Sequence, residues 1–213
     1  MTKVTIVDFN LGNLHSVKKA CEVCNIPTSI SSDKNDIEKA DALILPGVGA
    51  YREAMLNLSN MGLVQTINSF VESGKPVFGI CIGLQLLLSE STEFGHTEGL
   101  NLFEGRVEKI KFKDEKNCKH FRVPFIGWNK IRYVKNSPIF ESIKDNEYFY
   151  FVHSYYGKLS SNQDLVAYSV YGDLEITAAI ERKNIFATQF HPEKSGDCGL
   201  QIYRNWAKKY NIN

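Results

Sequence analysis

The segment Val77-Phe78-Gly79-Ile80-Cys81-Ile82-Gly83-Leu84-Gln85-Leu86-Leu87-Leu88 constrains the fold more than any other part of the chain. A buried strand, Val77 to Ile80, runs straight into an apolar helix, so the backbone must reverse within a few residues around Cys81. A reversal that sharp holds its central residue in strained dihedrals and leaves no room for bulk two residues before and two after. Gly79 and Gly83 occupy those two places. This is the steric requirement of the G-x-S-x-G nucleophile elbow, here with a thiol at its centre. At the start of a helix a thiolate gains from the dipole and the unpaired N–H groups, which lower a cysteine pKa from roughly 8.5 towards neutrality. The N–H of Ile82 is placed to hold a developing oxyanion. Cysteine is also among the most buried residue types, so Cys81 alone reads equally well as core. The two glycines at symmetric positions turn the reading towards a nucleophile.

The flanking sequence fits an open sheet. Val4 to Phe9 predicts a strand, and after Asn10, Gly12 and Asn13 the apolar positions Leu14, Val17, Cys21 and Cys24 recur at helical spacing. Ala42 to Leu45 predicts another strand ending at Pro46-Gly47-Val48-Gly49, and Val64, Ile67, Phe70 and Val71 mark a helix closing at Gly74. From Gly99 the texture changes to longer alternating stretches: Arg106 to Phe112, Ile126 to Tyr133, Tyr148 to Tyr155 and Ile176 to Ile180. These predict antiparallel strands added to the sheet. Lys111 to His120 reads as an exposed turn or surface loop, and Leu200, Tyr203, Ala207 and Tyr210 share one face of a C-terminal helix. The expected fold is α/β: an open, mostly parallel sheet with helices on both faces and added antiparallel strands. With no repeat and no linker, residues 1–213 read as one domain, long enough to bury a sizeable core.

Charge and cysteine usage narrow the partners. Lys and Arg number 25 against 24 Asp and Glu, so nothing favours nucleic acid or an anionic membrane, and a small neutral or zwitterionic substrate fits better. No run of about twenty apolar residues occurs, and the opening MTKVTIVDF is too short and, at Asp8, too acidic for a signal peptide. The five cysteines, Cys21, Cys24, Cys81, Cys118 and Cys198, are odd in number and scattered, which points to free thiols in a reducing, cytoplasmic setting. Cys21 and Cys24 have the spacing of a metal or redox pair, but no second pair exists and both fall on an apolar helix stripe. Core packing is the expectation there, with no metal site. Neither a G-x-x-x-x-G-K-[ST] nor a G-x-G-x-x-G loop is present, and no cofactor is expected.

A thiol nucleophile needs a base, and the candidates are His15, His96, His120, His153 and His191. His191 lies in Thr188-Gln189-Phe190-His191-Pro192-Glu193 at the end of a β-rich run. Glu193 follows two residues later and points the same way if Pro192 keeps the backbone extended. A carboxylate on one imidazole nitrogen fixes the tautomer and supports the charged ring, the orienting role in a Cys-His-acid triad. The bland alternative is a polar strand end. His153 competes as a base but has no carboxylate near it in sequence, and reads as structural or partner-facing.

Gly79-Ile80-Cys81-Ile82-Gly83-Leu84-Gln85 together with Gln189-Phe190-His191-Pro192-Glu193 resembles the class I, triad-type glutamine amidotransferases. Pro46-Gly47-Val48-Gly49, Val123-Pro124 before Gly127-Trp128-Asn129, Phe151 to Tyr156 and His191 to Gly196 are similar to the glutaminase subunits of imidazole glycerol phosphate synthases, over nearly the whole chain. Leu84 stands where other members of the class usually carry histidine, which ranks the anthranilate type lower. The resemblance implies glutamine hydrolysis at Cys81 with His191 as base and Glu193 as orienter. It implies an oxyanion strand at Val48 and Gly49, glutamine contacts at Gly49, Gln85, Glu93, Ser154 and Tyr155, and a (β/α)8 barrel synthase subunit that receives the ammonia in histidine biosynthesis. Asn10, Gly12, Asn13, Trp128 and Lys194 lie in segments that face the barrel in relatives; Trp128 also reads as a core aromatic beside Gly127.

Two departures, Asn10 where glycine is more frequent and Phe125 where histidine is, fall in segments expected to face the partner. A paralogous glutaminase serving the amidination of a surface sugar therefore stays open. So does a stand-alone cysteine peptidase or γ-glutamyl hydrolase, and, in another class, a binding or regulatory module without turnover.

Overall fold

The computed structural model describes residues 3–114 and 116–212. Its first half runs β1 (Val4–Val7), α1 (Leu14–Val23), β2 (Thr28–Ser31), α2 (Lys34–Glu38), β3 (Ala42–Leu45), α3 (Tyr51–Asn60), α4 (Leu63–Glu72), β4 (Val77–Ile80) and α5 (Ile82–Leu86). Strands then dominate: β5 (Leu88–Ser91), β6 (Thr97–Glu98), β7 (Phe103–Lys109), β8 (Phe125–Lys130), β9 (Arg132–Tyr133), β10 (Tyr148–His153) and β11 (Tyr155–Leu159). β12 (Leu165–Tyr171), β13 (Leu174–Arg182), β14 (Ile185–Thr188) and α6 (Gly196–Lys209) complete the order.

The main sheet has the order β2-β1-β3-β4-β14-β13-β12-β9, parallel from β2 to β14 and antiparallel beyond. Strands β1, β3, β4 and β14 are buried at every residue, as a sheet covered on both faces requires. Alternate residues divide between the two faces. Val4, Ile6, Ala42, Ile44, Phe78 and Ile80 join Val17 and Cys21 of α1 and Tyr203 and Trp206 of α6. Leu43, Leu45 and Val77 instead join Ile37 of α2, Leu58 of α3 and Ile67 of α4. Each such side chain taken out of water contributes roughly 1.5–3 kcal/mol, so the helices are held chiefly by these stripes. Local capping only fixes where they begin: the Asn13 carboxamide accepts the Ser16 N–H at 3.2 Å at the start of α1.

The expected antiparallel strands divide differently from the prediction. Of the four stretches, Ile176 to Ile180 extends the main sheet through β13, and only the tip of the second does so, as β9. β8 and β10 pair as a separate ribbon, and β7 joins a second sheet of order β11-β7-β5-β6. Alternation reports that one side of a strand is buried, but not which neighbour completes its ladder. The apolar run after Cys81 also ends sooner as helix than its composition suggests. The carbonyls of Leu86, Leu87 and Leu88 accept the N–H groups of Leu100, Leu102 and Asn101, which draws the chain into β5 after little more than one turn.

In Lys111 to His120, outside the undescribed Glu115, residues 116–120 form turns with Cys118 buried, and the Lys113 and Asp114 N–H groups donate to Asp173 between β12 and β13. Cys21 is buried against the sheet and the Cys24 thiol donates to the Leu200 carbonyl at 3.4 Å, so that pair is part of the α1–α6 packing. No helix among the described residues is long and apolar enough to cross a membrane.

Candidate active site

Cys81 sits between β4 and α5 at φ +55° and ψ −104°, a conformation that costs a non-glycine residue of order 1–3 kcal/mol. The surroundings enforce it. The Cys81 N–H donates to the Thr188 carbonyl at 2.7 Å, continuing the β4–β14 ladder up to the turn. A Cβ on Gly79 would lie 2.9 Å from Ala187 Cβ, and one on Gly83 would overlap the Leu45 carbonyl oxygen. The two glycines are thus the points where neighbouring strands pass against the turn, as the sequence predicted. Ile82, the first residue of α5, follows directly, and first-turn N–H groups have no intrahelical partner.

The same ladder leads to the candidate base. Three residues after Thr188, His191 Nδ1 lies 2.7 Å from Glu193 Oε1, with both side chains almost wholly buried. The contact is made by a different backbone path from the extended one expected. His191 itself is extended, but Pro192–Lys194 forms a 3₁₀ turn in which the Lys194 N–H donates to the His191 carbonyl at 3.0 Å. The fixed φ of proline suits the first position of such a turn, and the turn, not strand alternation, folds the carboxylate back under the ring. The His191 N–H donates to the Tyr150 carbonyl at 2.9 Å, and the Ser195 hydroxyl donates to the His191 carbonyl while accepting the Tyr150 N–H. β10 therefore anchors the whole turn.

Charge completes the pair. Burial works against the imidazolium, but the facing Cys81 sulfur and the Glu193 carboxylate outweigh it and raise the His191 pKa to about 10. His191 Nε2 is buried and has no hydrogen-bond partner within the protein. That atom is free for a proton shared with a thiol or a leaving group.

A cleft of about 120 Å³ opens on the sulfur, lined by Val48, Gly49, Cys81, Ile82, Gln85, Glu93, Val152, His153, Ser154 and Tyr155. It is smaller than the ~300–1,000 Å³ of sites for drug-sized ligands and suits one small molecule. All the residues expected to form the oxyanion strand and to contact substrate line it. Gln85 is buried and not on the helix surface, its amide nitrogen donating to the Tyr155 carbonyl at 2.9 Å and to Gln189 Oε1 at 3.1 Å. Glu93 Oε2 accepts the Tyr51 N–H at the start of α3 at 2.7 Å, which ties the carboxylate to the end of that helix. Val48 and Gly49 are exposed, and Gly49 has φ +116°.

Two residues beside Cys81 stand out from their sequence readings: His153, read as structural or partner-facing, and Gln189, which carried no role. His153 is a wall of the cleft and not a partner-facing side chain: it is buried against Phe125 and Phe151, with Nδ1 2.9 Å from the Tyr155 carbonyl. Burial, with that hydrogen bond opposing and the charge of His191 assisting, pulls its pKa down to about 4, so it is neutral near pH 7. Its place could have been read from parity, since it shares the inward face of β10 with Phe149 and Phe151. Gln189 is fully buried with its amide nitrogen 3.6 Å from Cys81 Sγ.

The residues expected at a partner surface divide. Asn10 and Gly12 are exposed at φ +63° and +121°, and asparagine at the first is one of the few side chains that tolerates left-handed backbone. Trp128 is 54% exposed, so it is not a core aromatic; it stands edge-on to Tyr150, and Lys194 lies over the same ring at 5.9 Å. Phe125, in contrast, is buried between Phe151 and Tyr171 and does not face outward.

Comparison with known proteins agrees with this geometry. The model of the family "Glutamine amidotransferase class-I" matches residues 5–209. The chain is 42% identical over 207 residues to the imidazole glycerol phosphate synthase subunit HisH of Geobacillus thermodenitrificans, covering 97% of this chain and 95% of the relative. It is 46% identical over 205 residues to the subunit of the same name from Methanothermobacter thermautotrophicus, covering 96% and 98%. Among solved structures, a glutamine amidotransferase superposes with a TM-score of 0.75 at 19% identity over 98% of this chain and 99% of the other. PurLQS from Thermotoga maritima gives 0.72 at 19% identity over 98% of both. The chain belongs to the class-I glutamine amidotransferases, in the branch of the imidazole glycerol phosphate synthase HisH subunits.

Proposed function

We propose that residues 1–213 form one glutaminase domain in which Cys81, His191 and Glu193 hydrolyse the side-chain carboxamide of glutamine, and that the ammonia passes to a (β/α)8 barrel synthase subunit of histidine biosynthesis. The observation that carries the reading is the buried His191–Glu193 contact of 2.7 Å beside a cysteine held at positive φ. The raised pKa of His191 favours an imidazolium facing the Cys81 sulfur before substrate arrives.

Sγ attacks the carboxamide carbon, and the oxyanion that forms is met by the Ile82 N–H and an N–H of the Val48–Gly49 segment. His191 Nε2 gives its proton to the departing amine, ammonia leaves, and a thioester remains on Cys81. His191, now neutral, takes a proton from water as it attacks the thioester, and returns that proton to the sulfur side as glutamate departs. Glu193 holds the ring throughout. Glu93 and Gln85 meet the α-ammonium and polar backbone of glutamine, with Ser154 and Tyr155 closing the cleft.

Only unprotonated ammonia is a nucleophile, so a closed route to an acceptor site is chemically useful. The exposed apolar side chains Trp128, Ile126 and Tyr148 gather on the β8–β10 ribbon, and with Asn10, Gly12, Asn13 and Lys194 they form the surface that docks the barrel. The test is glutamine turnover by the purified chain, alone and with a barrel subunit carrying its nucleotide ligand, with Cys81→Ala as control. Turnover that rises with the liganded partner and falls at least about 10⁴-fold in the variant is expected. Activity that survives loss of Cys81 would overturn the mechanism.

A further inference from the structure

A buried relay of two side-chain amides connects the substrate cleft to the nucleophile. Gln85 lines the cleft, its amide nitrogen lies 2.9 Å from the Tyr155 carbonyl and 3.1 Å from Gln189 Oε1, and Gln189 Nε2 lies 3.6 Å from Cys81 Sγ. Gln85 is 3% exposed and Gln189 is fully buried, so neither amide can turn to water. The direction of the relay follows from its fixed end. A backbone carbonyl only accepts, so Gln85 must present its NH2 to Tyr155 and, with the second hydrogen, to Gln189. Gln189 must then present oxygen to Gln85 and NH2 to the sulfur. The reverse orientation would set two acceptors or two donors against each other in a dry interior, which is costly.

We infer that Gln189 is a positioning residue that donates a hydrogen bond to the Cys81 sulfur, holding it as a thiolate in line with the cleft and coupling it to the substrate-binding amide of Gln85. A neutral N–H aimed at sulfur stabilises the thiolate more than the thiol, because a hydrogen bond to a charged acceptor is the stronger one. Gln85 Oε1, not used by the relay, remains to accept from the ligand's ammonium or amide. A ligand bound there polarises the Gln85 amide, and that effect reaches Sγ through Gln189 without any backbone movement. Glu193 acts on His191 from one side of the triad; Gln189 acts on Cys81 from the other. Gln189 follows β14 directly, and its own N–H donates to the Ala178 carbonyl at 2.9 Å, so the backbone that carries the amide is tied to the sheet.

The inference rests on Cys81 being the nucleophile, and its test is chosen so that the two separate. The pH dependence of Cys81 alkylation by iodoacetamide is measured on the intact chain for wild type, Gln189→Leu and the shape-conserving Gln189→Glu, alongside glutamine kcat and KM. The expected result is a midpoint raised by about one pH unit in Gln189→Leu, and further in Gln189→Glu, where an acceptor or a negative charge replaces the donor. kcat should fall about tenfold or more in both, with a smaller change in KM. Gln189→Glu conserves volume, so it decides the question if the leucine variant does not fold. A midpoint unchanged in a folded Gln189→Glu overturns the relay. Absence of glutamine turnover by wild type even with the liganded barrel subunit, with the alkylation shift intact, would instead remove the glutaminase reading and leave the relay standing.

Discussion

The ends of β3 and β4 are neighbours in one sheet, and both turn sharply through glycine-flanked segments into the same cleft, yet they are built in opposite ways. The β4 end is locked. Cys81 is held at φ +55° by a 2.7 Å ladder bond to Thr188, and the glycines on either side leave no room for a methyl group against Ala187 or the Leu45 carbonyl. The β3 end is locked only at its base, where a side chain on Gly47 would run into Ile82 and Phe9. Two residues later Gly49 is exposed, and a Cβ there would meet only a Leu11 methyl at 3.6 Å. Cys81 and His191 are therefore fixed in position while the opposing wall, proposed above to present an N–H to the oxyanion, has space to rotate. Strain sits where it aims a reactive atom; freedom sits where a dipole must be turned.

Paired glycine substitutions put the largest strain on this contrast. Gly83→Ala should lower stability by about 3 kcal/mol, because backbone blocks the new methyl. Gly49→Ala should cost only about 1–2 kcal/mol, from its φ of +116°, while depressing glutamine turnover more than its stability loss explains. Urea melts and initial rates on both variants decide it; equal costs would erase the difference between the two turns.

Acid is the next lever, because it reaches His153, a buried wall of the cleft that belongs to neither turn. The pKa of His153 is about 4 in the fold against an ordinary value near 6.5, so above pH 6.5 the ring is neutral in both states and its contribution is complete. As pH falls from 6.5 towards 4 the unfolded chain takes up a proton that the fold refuses, and up to about 3 kcal/mol is lost. His191, with its raised pKa, is protonated in both states across most of that window and adds little slope there; its stabilisation is lost only as pH rises towards 10. His153→Gln should flatten the stability profile between pH 4 and 6.5, as read by chemical melts.

A smaller effect isolates the strain at Cys81. Cys81→Gly and Cys81→Ala both lack the sulfur, but only glycine is at ease at φ +55°, so the glycine variant should be more stable by about 1 kcal/mol. Thermal melts in the same buffer would show an alanine variant of equal or greater stability if the turn were relaxed. Smallest of all, Trp128→Ala should change stability by no more than about 0.5 kcal/mol, given its exposure, and should leave glutamine hydrolysis by the isolated chain intact. Its loss should appear only as weaker association with the barrel subunit.

The parts legible in the sequence were those in which a local rule fixes the outcome. Gly79 and Gly83 announced the turn because the requirement is steric and short-range, and β1, β3 and β4 announced themselves as short β-rich runs, interrupted in β1 only by Thr5. β2 gave no such signal: Thr28–Ser31 is half-buried throughout, an edge strand without an apolar face. The Pro192–Lys194 turn was missed because proline is compatible with both an extended and a 3₁₀ path, although either path pairs Glu193 with His191. The division of the second half into three sheets depends on pairings between residues far apart in sequence, such as Phe151 with Gly127. Trp128 and Phe125 are both aromatic neighbours of Gly127, and only the tertiary packing puts one in solvent and the other in the core.

The placement of β14 beside β4 has a consequence for how the molecule comes into being. The strand that closes the gap between β4 and β13, and that carries Thr188, Gln189 and His191 towards Cys81, emerges more than a hundred residues after the nucleophile. A partly synthesised chain lacks His191, Gln189 and the Thr188 carbonyl that pairs with the Cys81 N–H. On the proposed reading the site is completed only when β14 docks beside β4, a long-range pairing of the kind that forms slowly.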